Sequence, residues 1–299
     1  MLFRSGIVFA ISAVISCGIF LLGPQANGMA NAVVQVIGEG TVVNSGIAGE
    51  IGIYRLTATA FTLLLLGFII FGGIKRIANF AEVVVPFMAI AYIGLALIIV
   101  AINITHVPEL IALIIGDAFS PQAGFGAAIG WGVKRGIYSN EAGQGTGAHP
   151  AAAADVEHPV QQGLIQAFSV YITTLLVCSA TALVILMTKQ YNVVADQTFA
   201  GAGTQYIASY LHDAAGAVIH ADPNSPAFTQ IGMESVFGKI GPVLVAIAIF
   251  FFAFTSILAY YYIAETNIIY LAQKLGLRHN ATLVVKIRSE EHTSELQSR

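Results

Sequence analysis

Residues 136–147 read Gly-Ile-Tyr-Ser-Asn-Glu-Ala-Gly-Gln-Gly-Thr-Gly, and the interpretation of the whole chain depends on this stretch. Its glycines remove side chains and weaken any helix that contains them. They surround a carboxylate, an amide and two hydroxyls. If the flanking sequence crosses a membrane, polar groups this concentrated are costly in lipid and are expected to face a cavity.

The composition is that of a membrane protein. Charged residues make up 10% and apolar residues 57% of the 299 positions, and the mean hydropathy is +0.79. An ordinary soluble domain carries about 25% charged residues. The formal net charge of -3 includes no basic excess that would attract nucleic acid, so nucleic-acid binding is not expected. Cys17 and Cys178 lie inside apolar runs and indicate neither a disulfide nor a metal site.

Long stretches without Asp, Glu, Lys or Arg predict the membrane helices. A crossing needs about 20 mainly apolar residues, because a helix satisfies its own backbone hydrogen bonds. Five such spans are expected, and the glycine-rich stretch lies in a sixth that is broken. The predicted spans are 5–37, 51–74, 79–104, 124–154 (broken), 159–188 and 240–266, and residues 189–239 form an extramembrane loop. The predicted fold class is an all-α, polytopic membrane protein.

The distribution of Lys and Arg predicts the orientation. Short cytoplasmic loops carry an excess of these residues. With six spans, one side of the membrane receives Arg4, Lys75, Arg76, Lys274 and Arg278. That side is therefore predicted to be cytoplasmic, which makes the loop 189–239 extracellular.

The glycine-rich stretch is the first candidate site. Secondary transporters use discontinuous helices, whose free N–H groups and carbonyls bind an anionic group and a cation. Ser139, Asn140 and Glu141 therefore favour binding of a zwitterion together with sodium. The alternative is a packing surface of close glycine contacts in which Glu141 pairs with Lys134 or Arg135.

Two further polar places lie inside predicted spans. Gln25 follows a helix-loosening Pro24, and its amide could hold the amine or the carboxylate of a ligand, or form an interhelical hydrogen bond. Thr255 and Ser256 are adjacent hydroxyls near the middle of the last span. Such hard oxygen atoms suit a small alkali cation, although their commoner role is to bond back to the carbonyl four residues earlier.

Residues 135–143, Arg-Gly-Ile-Tyr-Ser-Asn-Glu-Ala-Gly, followed by alanines at 151–154 and by His158-Pro159, closely resemble the alanine or glycine:cation symporter family. The resemblance covers essentially all of residues 1–287. Four further stretches look like successive later spans of that family: 72–78, 85–89, 178–185 and 252–258.

This resemblance implies a fold and a function. The fold would be an inverted repeat of the leucine-transporter type, of which this chain holds about helices three to eight. The activity would be sodium-coupled symport of L-alanine, D-alanine or glycine across the bacterial inner membrane, without a cofactor beyond the coupling ion and without enzymatic chemistry. The implied substrate contacts are Gln25, Ser139, Asn140, Glu141, Ala142 and Gly143, and the implied sodium ligands are Thr255 and Ser256.

The chain departs from the family pattern in three ways. Helices one and two and everything after the start of helix nine lack a counterpart, so an inactive truncated fragment or an ion-conducting membrane subunit is the alternative to a working carrier. Residues 288–299 resemble the translation of a sequencing adaptor and are excluded from the fold. Thr173 stands where many relatives carry an acidic residue.

Overall fold

The structure is a computed structural model that describes residues 2–44, 50–119, 125–194, 206–209 and 226–275. The described ranges leave out residue 124, where the broken span was predicted to begin, as well as Arg278 and the adaptor-like tail 288–299. They also leave out 195–205 and 210–225 of the predicted loop.

The described residues are mostly helical. The long helices are α1 (Leu2–Ile15), α2 (Leu22–Ile37), α3 (Ile53–Ile70), α4 (Gly73–Ile102), α5 (Val107–Ala118), α6 (Phe125–Tyr138), α9 (Pro159–Tyr171), α10 (Ser179–Met187), α11 (Ala227–Phe237) and α12 (Ile240–Lys274). Two single-turn helices, α7 (Glu141–Gln144) and α8 (Ala148–Ala151), follow α6. In the described ranges, antiparallel strand pairs form between β1 (Val42–Asn44) and β2 (Glu50–Gly52), and between β3 (Asn192–Val194) and β4 (Tyr206–Ser209).

Five helical stretches of the described chain are long and apolar enough to cross a bilayer. They are Ser5–Ile37, Ile53–Ile70, Arg76–Ile102, Pro159–Met187 and Ile240–Lys274. Each overlaps one of the five charge-free runs. Their outer surfaces carry large apolar side chains, such as Leu64 at 76% exposure and Phe87 at 75%. An apolar exterior of this kind is what a lipid-facing helix requires.

Two of these stretches contain a π-helical segment. Ser16–Phe20 joins α1 to α2, and Ile172–Cys178 joins α9 to α10. In the first, the Leu21 N–H donates to the Ser16 carbonyl, five residues earlier. Pro24 lies just beyond and has no N–H for the carbonyl four residues before it. The wider turn therefore occurs where the regular hydrogen-bond ladder is already interrupted, and it bends the helix without ending it.

Helix α12 is the centre of the molecule. Its 35 residues rise about 1.5 Å each, so it is roughly 50 Å long and exceeds the bilayer hydrocarbon of about 30 Å. All three buried clusters include it, through Val245, Phe254 and Ile263 respectively. It packs against α1, α2, α4 and α11, and therefore fixes the positions of the helices that carry the candidate site.

The segment predicted as an extramembrane loop contains a packed helix. Helix α11 buries one face against α12 and α2. The fully buried Gln230 donates from Nε2 to the carbonyls of Ala32 (3.0 Å) and Pro242 (3.2 Å). Its Oε1 has no hydrogen-bond partner. The loop prediction missed this helix because its apolar face is short and becomes buried only through tertiary contacts.

Candidate substrate and ion site

The glycine-rich stretch interrupts a helix, as its sequence predicts. Helix α6 ends at Tyr138, and Asn140 has an extended backbone with φ -160° and ψ 168° before α7 begins. The Asn140 side chain caps that start, since its Oδ1 accepts from the Ala142 N–H at 3.1 Å. Its Nδ2 donates to Ser139 Oγ (3.2 Å) and to Thr174 Oγ1 (3.3 Å). The amide is thus used to shape the break and to link it to the π-helical segment after α9.

Two glycines allow the chain to turn after the break. Gly145 ends α7 with φ +75°, in the left-handed region that favours glycine. Gly143 lies against α6, so that an added Cβ would sit 2.5 Å from the Ile137 carbonyl oxygen. This position requires glycine for a close backbone approach. Gly143 supports the local geometry and does not line the cavity described next.

One cavity of about 650 Å³ brings together residues from α2, the broken segment, α9 and α12. Small-molecule sites are typically about 300–1,000 Å³. Six of the eight predicted site residues line it: Gln25, Ser139, Asn140, Glu141, Ala142 and Ser256. Thr255 and Gly143 do not. Residues more than 200 positions apart in the chain therefore line one cavity.

Two of the lining side chains keep their polar groups available. Glu141 is half-buried, and no salt bridge joins it to Lys134 or Arg135 among the described residues. The ion pair that the packing alternative requires is thus not seen in the described part of the chain. The half-buried Gln25 amide likewise makes no hydrogen bond within the described part of the chain. A carboxylate and an amide thus face the same cavity and can bind an ammonium and a carboxylate group.

The hydroxyls of α12 are bonded within their own helix. Thr255 Oγ1 donates to the carbonyls of Phe251 (2.9 Å) and Phe252 (3.1 Å), and Ser256 Oγ donates to Phe252 at 2.8 Å. This is the commoner role that the sequence left open. A hydroxyl that donates its proton keeps lone pairs for a cation. Since Ser256 lines the cavity and Thr255 does not, Ser256 is the better placed of the two.

The oxygen atoms at this cavity are hard donors. Within the described ranges, no group of three or more His, Cys, Asp or Glu side chains is arranged to hold a metal ion. Hydroxyl, carboxylate and amide oxygen atoms remain. Such atoms favour hard cations over soft transition metals.

Sequence reasoning missed several lining residues on α9, on the π-helical segment that follows it and on α12. Gln166, Ser169 and Thr173 line the cavity, and Tyr260 lines it from α12. The first three repeat at intervals of three and four residues within an apolar span, which places them on one helix face. That polar stripe was the available signal. Thr173 was noted only as a departure from the family pattern, and the structure places it at the candidate site.

Comparison with known proteins decides the family. A sequence model described as the sodium:alanine symporter family matches residues 3–289. The chain belongs to the sodium:alanine symporter family. It is therefore a transporter-family protein, and its several apolar helices make it a multi-pass protein of the bacterial inner membrane. The family assignment made from residues 135–143 and 151–159 is confirmed.

Curated members of the sodium:alanine symporter family are similar over about half of their own length. The putative sodium/proton-dependent alanine carrier protein YrbD of Bacillus subtilis is 51% identical over 89% of this chain and 50% of its own. The sodium/proton-dependent alanine carrier protein of Bacillus sp. strain PS3 is 45% identical over 87% and 53%. The probable sodium/glutamine symporter GlnT of Bacillus subtilis is 35% identical over 89% and 48%. The chain thus spans about half the length of the curated relatives it matches.

Proposed function

We propose that this chain forms part of a carrier that couples inward movement of sodium to uptake of a small neutral amino acid, alanine in the first place and glycine or D-alanine in addition. The single observation that carries the proposal is the shared cavity of about 650 Å³. Gln25, Glu141 and Ser256, from three separate helical elements, all line it. The named alanine carriers among its relatives support the choice of substrate.

The chemistry of the cavity suits a zwitterion. The Glu141 carboxylate accepts hydrogen bonds from the substrate ammonium group, and hydrogen bonds to charged groups contribute about 1.5–3 kcal/mol each. The Gln25 amide donates to the substrate carboxylate. The Ser139 hydroxyl donates to the Gly136 carbonyl at 3.0 Å and keeps a lone pair that can accept from the substrate ammonium group. Sodium lies beside Ser256 and Thr255 on α12, where hydroxyl oxygen atoms and the substrate carboxylate share it. Asn140, Ala142 and Gly143 hold the break in the shape that these contacts need.

The proposed transport cycle uses an inverted-repeat fold of the leucine-transporter type. Sodium and substrate bind together near the bilayer midplane, and rocking of one repeat against the other exposes the site to each side in turn. Each sodium that enters down a 100 mV potential contributes about 2.3 kcal/mol. That energy alone supports a concentration ratio of roughly 50-fold. The sodium concentration gradient adds to it.

Substrate size is set by the side chains that close the cavity. Alanine and glycine place little or nothing beyond the α-carbon, whereas glutamine, the substrate in the name of one relative, adds an amide on two methylenes. The cavity of about 650 Å³ is larger than any of these amino acids, so selection by size requires that it close around the substrate during the cycle. In the closed pocket, overpacking by a longer side chain costs about 1–3 kcal/mol. We therefore expect glutamine to compete only weakly with alanine.

The test uses a chimera in which this chain replaces the matched 272 residues of the 51%-identical alanine carrier. Purified chimera in liposomes should accumulate radiolabelled alanine only when an inward sodium gradient is present, and excess glycine should inhibit this more than excess glutamine. A sodium current that is independent of alanine would support the ion-conducting alternative. Folded chimera that neither binds nor accumulates alanine would refute the proposal.

A further inference from the structure

A histidine next to residues that line the cavity connects the broken segment to α12. His149 on α8 is half-buried, and its Nε2 lies 2.9 Å from Nδ2 of the buried Asn267. Its Nδ1 lies 3.0 Å from the Thr146 carbonyl oxygen. The Phe9 ring of α1 stacks on the imidazole, with centroids 5.9 Å apart and planes within 8°. Three elements therefore hold one imidazole ring in place.

The hydrogen bonds determine which ring nitrogen carries the proton. Asn267 Nδ2 also donates to the Ile263 carbonyl at 2.8 Å, which fixes the orientation of the amide because the Oδ1 atom cannot occupy that position beside another oxygen. Nδ2 therefore presents its second N–H to His149, and Nε2 must accept it. The Thr146 carbonyl can only accept, so Nδ1 carries the hydrogen. The bridge requires a neutral imidazole.

Protonation is incompatible with this bridge. A proton on Nε2 would place two N–H donors opposite each other at 2.9 Å. Rotation of the Asn267 amide would restore that contact only by losing the hydrogen bond to Ile263. Imidazole is the side chain whose charge ordinarily changes between pH 5 and 8. Binding of one proton thus breaks the link between α8 and α12.

The bridge lies where it can influence the site. Ala148 and Ala151, on either side of His149 in α8, line the cavity. The start of α1 packs against the end of α12, since a Cβ on Gly6 would lie 3.1 Å from the Tyr270 hydroxyl. Phe9 and Asn267 therefore lie toward the ends that carry Arg4 and Lys274, which the charge distribution predicts to be cytoplasmic.

We propose that His149 is a proton-binding site facing the cytoplasmic half of the carrier, and that proton binding there releases α8 from α12 and thereby changes the transport rate. The inference rests on the proposed function for its effect on transport. Two relatives are named sodium/proton-dependent carriers, and His149 is the residue that we propose binds a proton in this chain.

The other titratable groups on the surrounding elements do not hydrogen-bond to the His149 ring in the described chain. They are Glu265, Tyr270 and Lys274 on α12, His158 at the start of α9, and Lys134 and Glu141 around the break. The hydrogen bonds of the His149 ring in the described chain go to Thr146 and Asn267. The switch therefore depends on the protonation of His149 itself, which variants at His149 and Asn267 can isolate.

The first test is a pH profile of sodium-driven alanine uptake by the chimera, at equal pH on both sides, between pH 5.5 and 8.5. The wild-type chimera should show one step of about fivefold, the change expected from one hydrogen bond. His149→Gln should abolish the step. Asn267→Asp should reverse the direction of the step, because a carboxylate opposite Nε2 bonds the protonated ring and not the neutral Nδ1–H ring. His158→Asn is the matched control, since His158 is exposed and only caps α9 through its contact with Val160 N–H.

A step that persists in His149→Gln with the same midpoint, or that keeps its direction in Asn267→Asp, would overturn the proposal. If the variants do not transport, nitrogen NMR of the histidine rings in purified wild-type chimera decides it. The His149 signal should show the Nδ1–H tautomer at high pH, and its protonation should coincide with a change at the Asn267 amide. A signal that stays neutral down to pH 5.5 would refute the proton site, whereas absence of uptake in the wild type would refute only the proposed function.

Discussion

Helix α12 and the broken segment 136–151 cross the same part of the molecule but satisfy their polar groups differently. In α12, the hydroxyls of Thr255 and Ser256 donate to carbonyls of the same helix, which runs unbroken for 35 residues. In the broken segment, the helix stops at Tyr138, and the Glu141 carboxylate faces an open cavity. The hydroxyls of α12 are satisfied within their own helix, whereas the broken segment leaves a carboxylate facing the cavity.

The difference shows how a membrane protein separates support from binding. Unsatisfied polar groups in lipid are costly, so a structural helix satisfies them internally, and a polar side chain that is left available indicates a cavity. Glycine makes the second arrangement possible, since it permits the left-handed turn at Gly145 and the close approach at Gly143. Substitutions in the two regions should therefore affect different properties.

The largest effect is expected from Gly143→Ala. The new methyl group would lie 2.5 Å from the Ile137 carbonyl oxygen and 2.9 Å from its Cα, against backbone that cannot move aside. We expect a cost of about 3 kcal/mol, the upper end for overpacking, and loss of more than about 90% of alanine uptake. Uptake per folded molecule, measured after size-exclusion chromatography, checks this. Gly136→Ala is the control, because nothing lies within 4 Å of its added Cβ and it should keep most activity.

Glu141→Gln should follow in size. It removes the negative charge proposed to bind the substrate ammonium group while keeping the shape of the side chain. Loss of a hydrogen bond to a charged group, about 1.5–3 kcal/mol, should raise the alanine concentration for half-maximal uptake roughly ten- to hundredfold. Glu39→Gln makes the same chemical change at an exposed ion pair with Arg55, at 3.5 Å, and should have little effect. Equal effects of the two variants would exclude Glu141 as a substrate contact.

The sequence predicted the spans and the break better than the details of the site. Absence of charge over 20 or more residues is a strong signal that depends little on neighbouring helices, and each long apolar helix of the described chain overlaps a charge-free run. The break was expected because clustered glycines weaken a helix wherever they lie. Both properties are local in the chain.

Three features depended on contacts that no local pattern reveals. Asn140 was predicted as a ligand contact, but its amide is largely engaged by the cap of α7 and by Thr174. Gln166 faces the cavity only because α9 packs beside the break. The His149 bridge to Asn267 joins residues 118 positions apart. Such pairings are set by packing, which sequence periodicity does not specify.

A moderate loss of stability is expected from substitution of Gln230, which bonds α11 to α2 and α12. Gln230→Met keeps most of the volume but removes the side-chain donor to the carbonyls of Ala32 and Pro242, which lie within α2 and α12 and keep their helix hydrogen bonds. Loss of each hydrogen bond costs about 0.5–1.5 kcal/mol, and removal of the unpaired Oε1 offsets part of that. We expect a lower melting temperature in detergent with unchanged alanine affinity. Gln190→Met, which removes a single bond to the Thr188 carbonyl, should shift the melting temperature less.

The smallest predicted effect distinguishes the two hydroxyls of α12 by their contribution to sodium binding. Ser256 lines the cavity and Thr255 does not, although both donate to helix carbonyls. Loss of one neutral oxygen ligand should raise the sodium concentration for half-maximal uptake about fivefold in Ser256→Ala, since such contacts contribute about 1 kcal/mol. Thr255→Ala should raise it less. A larger effect of Thr255→Ala would place sodium on the other side of α12, away from the broken segment, and would remove the proposed contact between the ion and the substrate carboxylate.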